Sequence, residues 1–413
     1  MKVLLVNKYH YVRGGSETYY FGLAELLRKA GHEVIFFAME DAQNIPCEQS
    51  GYFVSNVEFN GELTAKQKIK AALRMIYSFE AKRKISLLIE KEKPDIIHIN
   101  LFHRVLTASI VDAAKRYSLP VVVTIHDLNC ICPNHTMLDH GSICEACLHG
   151  NYLHCVKRVC FKDSRAKCLM AAVESAFNKY SGLYNKIDYF ITPSEFYRKK
   201  ILESGLTRSK VVTLRNFLEP RDSFGDGETN LGYYLYFGRL SEEKGILTLL
   251  KAVERVPGVR LEIAGTGPQE QALKEYVAGT NLQSRVNFRG FLSGKDLTDI
   301  IQGAKCVVLP SEWYENGPYA IMEAMAAGKP AIVSDLGGLP EIVRDNETGY
   351  IFQAFDAESL AACIGKMERL EPCICRKMSE EAREQGKIQF SPCRYLELLL
   401  GIYRECIEKK MAR

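Results

Sequence analysis

Short apolar runs recur along this chain, and an amphipathic segment of helix length follows nearly every one of them. A parallel sheet covered by helices on both faces produces this pattern, because its strands are buried on both sides. The sequence therefore predicts an α/β fold with two doubly wound, Rossmann-like sheets. The predicted strands form two series, at residues 2–6, 33–37, 96–99, 121–125 and 189–191, and at residues 233–237, 259–264, 286–289, 306–309 and 331–333.

A polar segment at residues 219–232 separates the two series; it contains Pro220, Gly225 and Gly227 and has no hydrophobic period. A length of 413 residues also suits two domains. We predict an N-terminal domain at residues 1–218, a second domain at 219–394, and a final helix at 395–413 that packs back on the first domain.

The composition limits the class of protein. Hydrophobic residues make up 47% of the chain and charged residues 25%, which is typical of a folded globular protein. A net charge of +4 is too small to indicate a nucleic-acid partner. No apolar stretch approaches the roughly 18 residues of a membrane span, and none resembles an export signal. The expected location is therefore the cytoplasm.

The loop at residues 238–245, Gly-Arg-Leu-Ser-Glu-Glu-Lys-Gly, follows directly on a predicted strand. It therefore lies at the carboxyl end of a parallel sheet, where α/β proteins bind ligands. The planar fork of Arg239 and the point charge of Lys244 can converge on one phosphate and stabilise a leaving group without a metal ion. The alternative is a surface basic pair beside two glutamates.

A second loop, at residues 315–323, follows the strand at 306–309 and enters a helix at about Tyr319. Gly317 and Pro318 at this helix start let a phosphate approach the unpaired N–H groups. Compensation of the helix dipole is an alternative that explains Glu315. It explains Glu323 less well, because the alanines and methionines around Glu323 indicate a buried helix, where an idle carboxylate is costly. A carboxylate there can accept hydrogen bonds from ribose hydroxyls.

Three more strand ends carry candidate residues. Gly265 and Gly267 form another strand-to-helix turn, for which a plain tight turn is the alternative. Gly14 and Gly15 join the first strand to the first helix and can lie close to a sugar or phosphate. His126 ends a buried strand, where it either bonds a sugar hydroxyl or is structural.

Together these segments resemble the retaining glycosyltransferases of family 4, which have the GT-B fold of two facing Rossmann-like domains. The resemblance spans nearly the whole chain and rests on the order of Gly238–Arg239 with Lys244, the stretch from Glu315 to Glu323, and Gly-Gly-Leu-Pro-Glu at 337–341. It implies a hexosyltransferase-type enzyme of bacterial surface or capsular polysaccharide synthesis. The implied reaction transfers a sugar from a nucleotide donor, with UDP-sugar favoured, to a glycan or lipid-linked acceptor, with retention.

The resemblance also implies roles for single residues. The implied catalytic residues are Arg239 and Lys244, which bind the donor diphosphate, and Glu315 and His126, which contact the transferred sugar; no cofactor takes part in catalysis. Glu323 binds the ribose. Asn316-Gly317-Pro318 stands where the family commonly has Phe-Gly, which leaves the sugar identity open. The other implied donor-binding positions are Gly14, Gly15, Gly238, Gly265, Gly267, Phe291, Leu292, Asn316, Gly317 and Pro318.

Two other functions remain open at this point. A sugar-nucleotide epimerase of the same architecture would need a general acid and base around the sugar, and no added carboxylate pair indicates them. A non-catalytic nucleotide-sugar sensor is the other, although the combination of Arg239, Lys244, Glu315 and Glu323 favours turnover.

Half of the 14 cysteines lie in a predicted insertion at about residues 128–168. A Cys-x2-Cys knuckle flanked by single cysteines suits a structural zinc ion. The predicted ligands are Cys132, Cys144, Cys147 and Cys160, with Cys130, Cys155, His149 and His154 as competing ligands. The alternative is a set of unrelated reduced thiols.

The segment from Lys66 to Lys93 carries nine Lys or Arg residues against three Glu, with Ile69, Leu73 and Ile76 at helical spacing. Such a helix can lie on an anionic membrane surface, which predicts peripheral contact with the inner face of the plasma membrane. A solvated helix is the alternative.

Overall fold

The computed structural model describes residues 1–56, 65–219 and 230–411. The chain divides into two compact units, one formed by Met1–Asn216 with Pro392–Arg413 and the other by Phe217–Ser391. The boundaries drawn from the sequence, after residues 218 and 394, lie close to these divisions. Most of the predicted linker at 219–232 lies outside the described residues.

The first unit is built on a parallel sheet. Because its strand order reverses between the first and third strands, the loops after these two strands border a crevice at the carboxyl edge of the sheet. The strands are β1 (Lys2–Val6), β2 (Glu33–Phe37), β3 (Ile96–Ile99), β4 (Val121–Thr124), β5 (Leu138–Asp139), β6 (Ser142–Ile143), β7 (Tyr189–Thr192) and β8 (Lys210–Thr213). β5 and β6 form an antiparallel hairpin in the insertion, and the others pair in the order β2-β1-β3-β4-β7-β8.

The helices of this unit connect the parallel strands, as the βαβ pattern requires. They are α1 (Gly15–Lys29), α2 (Ala65–Ile76), α3 (Phe79–Glu92), α4 (Ser109–Arg116), α5 (Leu153–Arg158), α6 (Arg165–Tyr180) and α7 (Glu195–Glu203).

The second unit has the same architecture. Its strands are β9 (Tyr233–Phe237), β10 (Arg260–Ala264), β11 (Val286–Gly290), β12 (Ala304–Leu309), β13 (Ala331–Ser334) and β14 (Gly349–Phe352), paired in parallel in the order β11-β10-β9-β12-β13-β14. The order reverses between β9 and β12, so the loops after these strands flank the switch point where such sheets bind ligands. The helices are α8 (Ile246–Arg255), α9 (Glu270–Ala278), α10 (Gly294–Gly303), α11 (Tyr319–Ala326), α12 (Ala357–Glu368) and α13 (Pro372–Gln389). The predicted fold class is confirmed.

The last helix, α14 (Pro392–Met411), belongs to the first unit. Its Tyr403 hydroxyl lies 2.5 Å from Nδ1 of the buried His98, whose Nε2 lies 2.7 Å from the Thr124 hydroxyl. Tyr395 of the same helix forms a hydrogen bond with the buried Tyr19. Buried polar groups of the sheet and of α14 thus satisfy one another, which stabilises the packing of this helix.

Two strands of the parallel sheets, β8 and β14, were not predicted from the sequence. β8 has no continuous apolar run, because Lys210 is exposed and only Val211 of its four residues is buried. β14 begins with Gly349, and glycine usually indicates a turn or a break in a strand. In the structure this residue has φ +156°, and a Cβ there would lie 1.8 Å from the carbonyl oxygen of Ala331. Close approach of the neighbouring strand therefore explains the glycine.

Candidate functional site

The loops after β9 and β12 meet through one ion pair. Lys244 ends a short 3-10 turn before α8, and Glu315 lies in the loop before α11. The Nζ atom of Lys244 lies 2.6 Å from Oε1 of Glu315, although the two residues are 71 positions apart in the sequence. The structure therefore brings together two of the four predicted catalytic residues at the switch point of the second sheet.

Glu315 is buried and charged. Burial by itself would raise the pKa of Glu315, but the charge of Lys244 and hydrogen bonds from Lys244 and Ser311 outweigh burial, and the pKa lies below its usual value. The Ser311 hydroxyl donates to Oε1 over 2.6 Å. Lys244 also lies over the ring of Trp313, 5.0 Å from its centroid. Neither Ser311 nor Trp313 is among the predicted site residues, although Trp313 is the one tryptophan in the sequence.

Two glycines fix the backbone around this pair. Gly245 has φ +66°, and a Cβ there would lie 2.0 Å from the carbonyl oxygen of Pro310. Gly337 has φ +65°, and a Cβ there would lie 2.4 Å from the carbonyl oxygen of Glu315. The next residue, Gly338, donates its N–H to that same oxygen over 2.7 Å. The Gly-Gly motif after β13 therefore holds the backbone of Glu315.

Arg239 stands in the same loop as Lys244 and is exposed. Its carbonyl oxygen accepts a hydrogen bond from the Tyr236 hydroxyl over 2.7 Å, which fixes its backbone. Within the described residues no ion pair engages its guanidinium. This side chain is therefore available to an anion from solvent.

The Gly265 turn packs directly against the backbone of the Arg239 loop. Gly265 has φ +139°, and a Cβ there would lie 1.8 Å from the carbonyl oxygen of Gly238. A Cβ at Gly267 would lie 2.3 Å from the carbonyl oxygen of Leu240. Backbone hydrogen bonds from Gly238 to Ala264 and from Leu240 to Thr266 join the two loops. The structure thus gives these glycines a packing role, while their predicted contact with the donor stays a prediction.

The start of α11 lies directly after Glu315. Pro318 occupies the N-cap position, and Asn316 and Gly317 precede it in the partly buried loop. Glu323 lies in the second turn of α11 with 7% of its surface exposed. Its burial agrees with the expectation from the alanines and methionines around it.

The loop after β11 presents an aromatic side chain to solvent. Phe291 is 75% exposed, whereas Leu292 packs partly against the core of the second unit. Gly290 precedes them with φ +66° and accepts a hydrogen bond from the N–H of Gly265 over 2.6 Å. This loop is therefore joined to the other loops at the carboxyl edge of the sheet.

In the first unit, His126 lies at the carboxyl end of β4. Its Nε2 is 3.0 Å from Oδ1 of Asn100, and its ring packs edge-on against Tyr19 at 4.8 Å between centroids. Burial lowers the pKa of His126 to about 4, so the ring is neutral at pH 7. Gly14 is the N-cap of α1, and Gly15 begins this helix.

The cysteine-rich insertion forms a separate group of side chains in the first unit. Cys132, Cys144, Cys147 and Cys160 line one small cavity, together with Cys155 and His154. Within the described ranges no set of three or more His, Cys, Asp or Glu side chains has an arrangement that could hold a metal ion. The predicted ligands thus lie around one cavity without forming a coordination site in this structure.

Comparison with known proteins identifies the chain. A family model described as "Glycosyl transferases group 1" matches residues 223–386. A second model, described as "Glycosyltransferase Family 4", matches residues 13–221, about half of the chain. The chain belongs to this glycosyltransferase family. Its two family matches correspond closely to the two units of the fold.

The relatives of this glycosyltransferase include a protein from a cps region and a protein named for colanic acid biosynthesis. It is 26% identical to an "Uncharacterized 42.6 kDa protein in cps region" of Klebsiella pneumoniae over 359 residues, covering 83% of this chain and 88% of that protein. It is 30% identical over 225 residues to WcaL of Salmonella typhimurium, whose name assigns it to colanic acid biosynthesis, covering 52% of this chain and 55% of that one.

A solved structure shares the fold of the glycosyltransferase. Anabaena Alr3699/HepE in complex with UDP has a TM-score of 0.70 at 18% sequence identity, covering 98% of this chain and all of that one. In the described part of the glycosyltransferase, no helix is long and apolar enough to span a bilayer.

Proposed function

We propose that this glycosyltransferase transfers a hexose from a nucleoside-diphosphate sugar, with UDP-sugar favoured, to a glycan or lipid-linked acceptor in surface or capsular polysaccharide synthesis. The observation that carries the proposal is the Lys244–Glu315 pair at the switch point of the second sheet. UDP in the structurally similar HepE and the Klebsiella relative from a cps region support the donor and the pathway class.

Arg239 and Lys244 bind the donor diphosphate in this proposal. Glu315 already neutralises Lys244, so the exposed Arg239 supplies the uncompensated positive charge, and Lys244 adds its remaining ammonium donors. When the bond between the anomeric carbon and the diphosphate breaks, both cations stabilise the charge that develops on the leaving group. They take the place that a divalent metal holds in other transferases.

Carboxylates and backbone groups hold the rest of the donor. Glu315 uses Oε1 for Lys244 and Ser311, which leaves acceptor capacity on its carboxylate for a sugar hydroxyl. Glu323 accepts from the ribose hydroxyls. The exposed ring of Phe291 stacks on the nucleobase, next to Leu292.

The first unit contributes Gly14, Gly15 and His126. The neutral ring of His126, oriented by Asn100, bonds a hydroxyl of the transferred sugar. The acceptor oxygen attacks the anomeric carbon on the face that the leaving group departs from, which retains the configuration. The acceptor's proton passes to the departing phosphate, so the transfer balances without a separate general base.

A panel of nucleotide sugars tests this proposal. We expect release of nucleoside diphosphate with UDP-sugars, and we expect Glu323→Gln to raise the donor KM about 10-fold or more, because a charge-assisted hydrogen bond to ribose is lost. Glu358→Gln, on α12, is the matched control because Glu358 is a surface residue. A changed sugar on an intact nucleotide would identify an epimerase, and binding without either reaction would identify a sensor.

We also propose that α3 contacts an anionic membrane surface. Phe79 is 78% exposed and Leu87 47% exposed, and both border a shallow cavity with Arg83 and Arg116. Exposed apolar side chains flanked by arginines suit the interface of an anionic leaflet. Lys66, Lys68 and Lys70, which belong to the sequence-based prediction, lie in α2, but their side chains are outside the part of the structure that is described.

Flotation with vesicles that contain phosphatidylglycerol tests this surface. We expect the wild type to float with these vesicles at low salt and less at high salt, because salt screens the arginine charges. Phe79→Ser should reduce the floated fraction, whereas Leu153→Ser, which removes another exposed apolar side chain, should not. Recovery of all the protein in the unbound fraction would exclude this membrane contact.

A further inference from the structure

We infer that the cysteine-rich insertion binds one structural zinc ion through Cys132, Cys144, Cys147 and Cys160. These four side chains come from three separate segments of the insertion, and all of them line one small cavity. Four thiolates are one of the usual ligand sets of a closed structural zinc site. The inference concerns the first unit alone and does not depend on the proposed transfer reaction.

Backbone hydrogen bonds position both ends of the Cys-x2-Cys knuckle beside the cavity. The β5–β6 hairpin leads into Cys144, whose N–H donates to the carbonyl oxygen of Met137 over 2.8 Å. A turn then brings back the chain, with the N–H of Gly150 donating to the carbonyl oxygen of Cys147 over 2.9 Å. Both thiols of the Cys-x2-Cys pair therefore reach the same cavity.

The neighbouring cysteines have other partners. Cys168 is fully buried and exchanges hydrogen bonds with the backbone of Phe161 at 3.4 and 3.5 Å, so it belongs to the apolar core beside the cavity. Cys155 is also part of that core, and its carbonyl oxygen lies 3.9 Å from the sulfur of Cys160. We therefore assign Cys155 to the support of Cys160 rather than to the metal.

The apolar core of the insertion is small, and a metal ion bound by its cysteines would stabilise it. Its core cluster contains few large side chains, namely Tyr152 and Phe161 beside cysteines and alanines. Small apolar clusters seldom hold a fold without a disulfide or a metal, and every described cysteine is a free thiol. Within the described residues the thiols do not stand at coordinating positions, so zinc binding requires the cysteine side chains to adopt other rotamers.

Metal analysis of the full-length chain tests the assignment. We expect about one zinc ion per purified chain, and a cobalt-thiolate charge-transfer band after exchange with Co²⁺. Cys144→Ser and Cys160→Ser should each lower the bound zinc and weaken this band. Cys47→Ser should change neither, since Cys47 lies outside the insertion.

A wild-type measurement covers the case in which a variant fails to fold. Titration of the zinc-loaded wild type with a mercurial thiol reagent should release zinc in proportion to the cysteines that react. Absence of both zinc and the cobalt band, with unchanged thermal unfolding after chelation, would overturn the inference. Loss of metal in Cys155→Ala but not in Cys160→Ser would overturn the assigned ligand set.

Discussion

Replacing Lys244 by methionine is expected to lower kcat about 10²- to 10³-fold, the usual effect of removing one group that stabilises a leaving anion. The same change leaves the buried carboxylate of Glu315 without its cation, which costs about 3 kcal/mol of folding free energy. Release of nucleoside diphosphate measures the first effect, and denaturant unfolding measures the second.

A second variant separates these two effects. Adding Glu315→Gln to Lys244→Met removes the uncompensated charge, so we expect most of the lost stability to return while kcat stays low. Lys251→Met, on the exposed face of α8, is the matched control and should behave like the wild type. A Lys244→Met protein with normal kcat would contradict the role that we assign to this side chain.

Replacing Gly265 by alanine is expected to destabilise the second unit by about 3 kcal/mol and to weaken donor binding. The new Cβ would lie 1.8 Å from the carbonyl oxygen of Gly238, at a φ of +139° that alanine rarely adopts. Relief of this clash must move the Gly238 loop, which carries Arg239. The shift in melting temperature and the donor Kd measure the two consequences.

Gly279→Ala is the matched control for this glycine. Gly279 caps α9 with φ −84°, and a Cβ there would meet its nearest neighbour at 3.5 Å. We expect a small change in stability and none in donor affinity. Equal effects of the two substitutions would show that close approach of the loops is not what requires glycine at 265.

The strands of the two sheets show how much of the fold a local sequence pattern predicts. β1, β2 and β3 have the predicted boundaries, because each is an apolar run buried on both faces. The pattern fails at β8 and β14, where an exposed lysine and a leading glycine interrupt the apolar run. Pairing with β7 and with β13 makes these segments strands, and a window of neighbouring residues does not contain that information.

The candidate site, like the strands, was only partly predicted from the sequence. The sequence singled out Arg239, Lys244 and Glu315 as candidates because they follow predicted strands, and strand ends of parallel sheets share one edge. It singled out Glu323 because the apolar residues around it indicate a buried helix. Their partners were not found. The structure shows Ser311 and Trp313 as contacts of Glu315 and Lys244, and it places Gly337, known from the sequence only as part of a motif, against the backbone of Glu315.

The amino-acid sequence by itself determined the fold class, the two-part organisation and the strand ends that carry the charged residues, since apolar periodicity is a property of adjacent residues. Only the tertiary structure decided that Lys244 pairs with Glu315, that His98 bonds Tyr403 of the last helix, and that Gly265 meets Gly238. Each of these contacts joins residues far apart in the chain, and chain folding alone sets their distance.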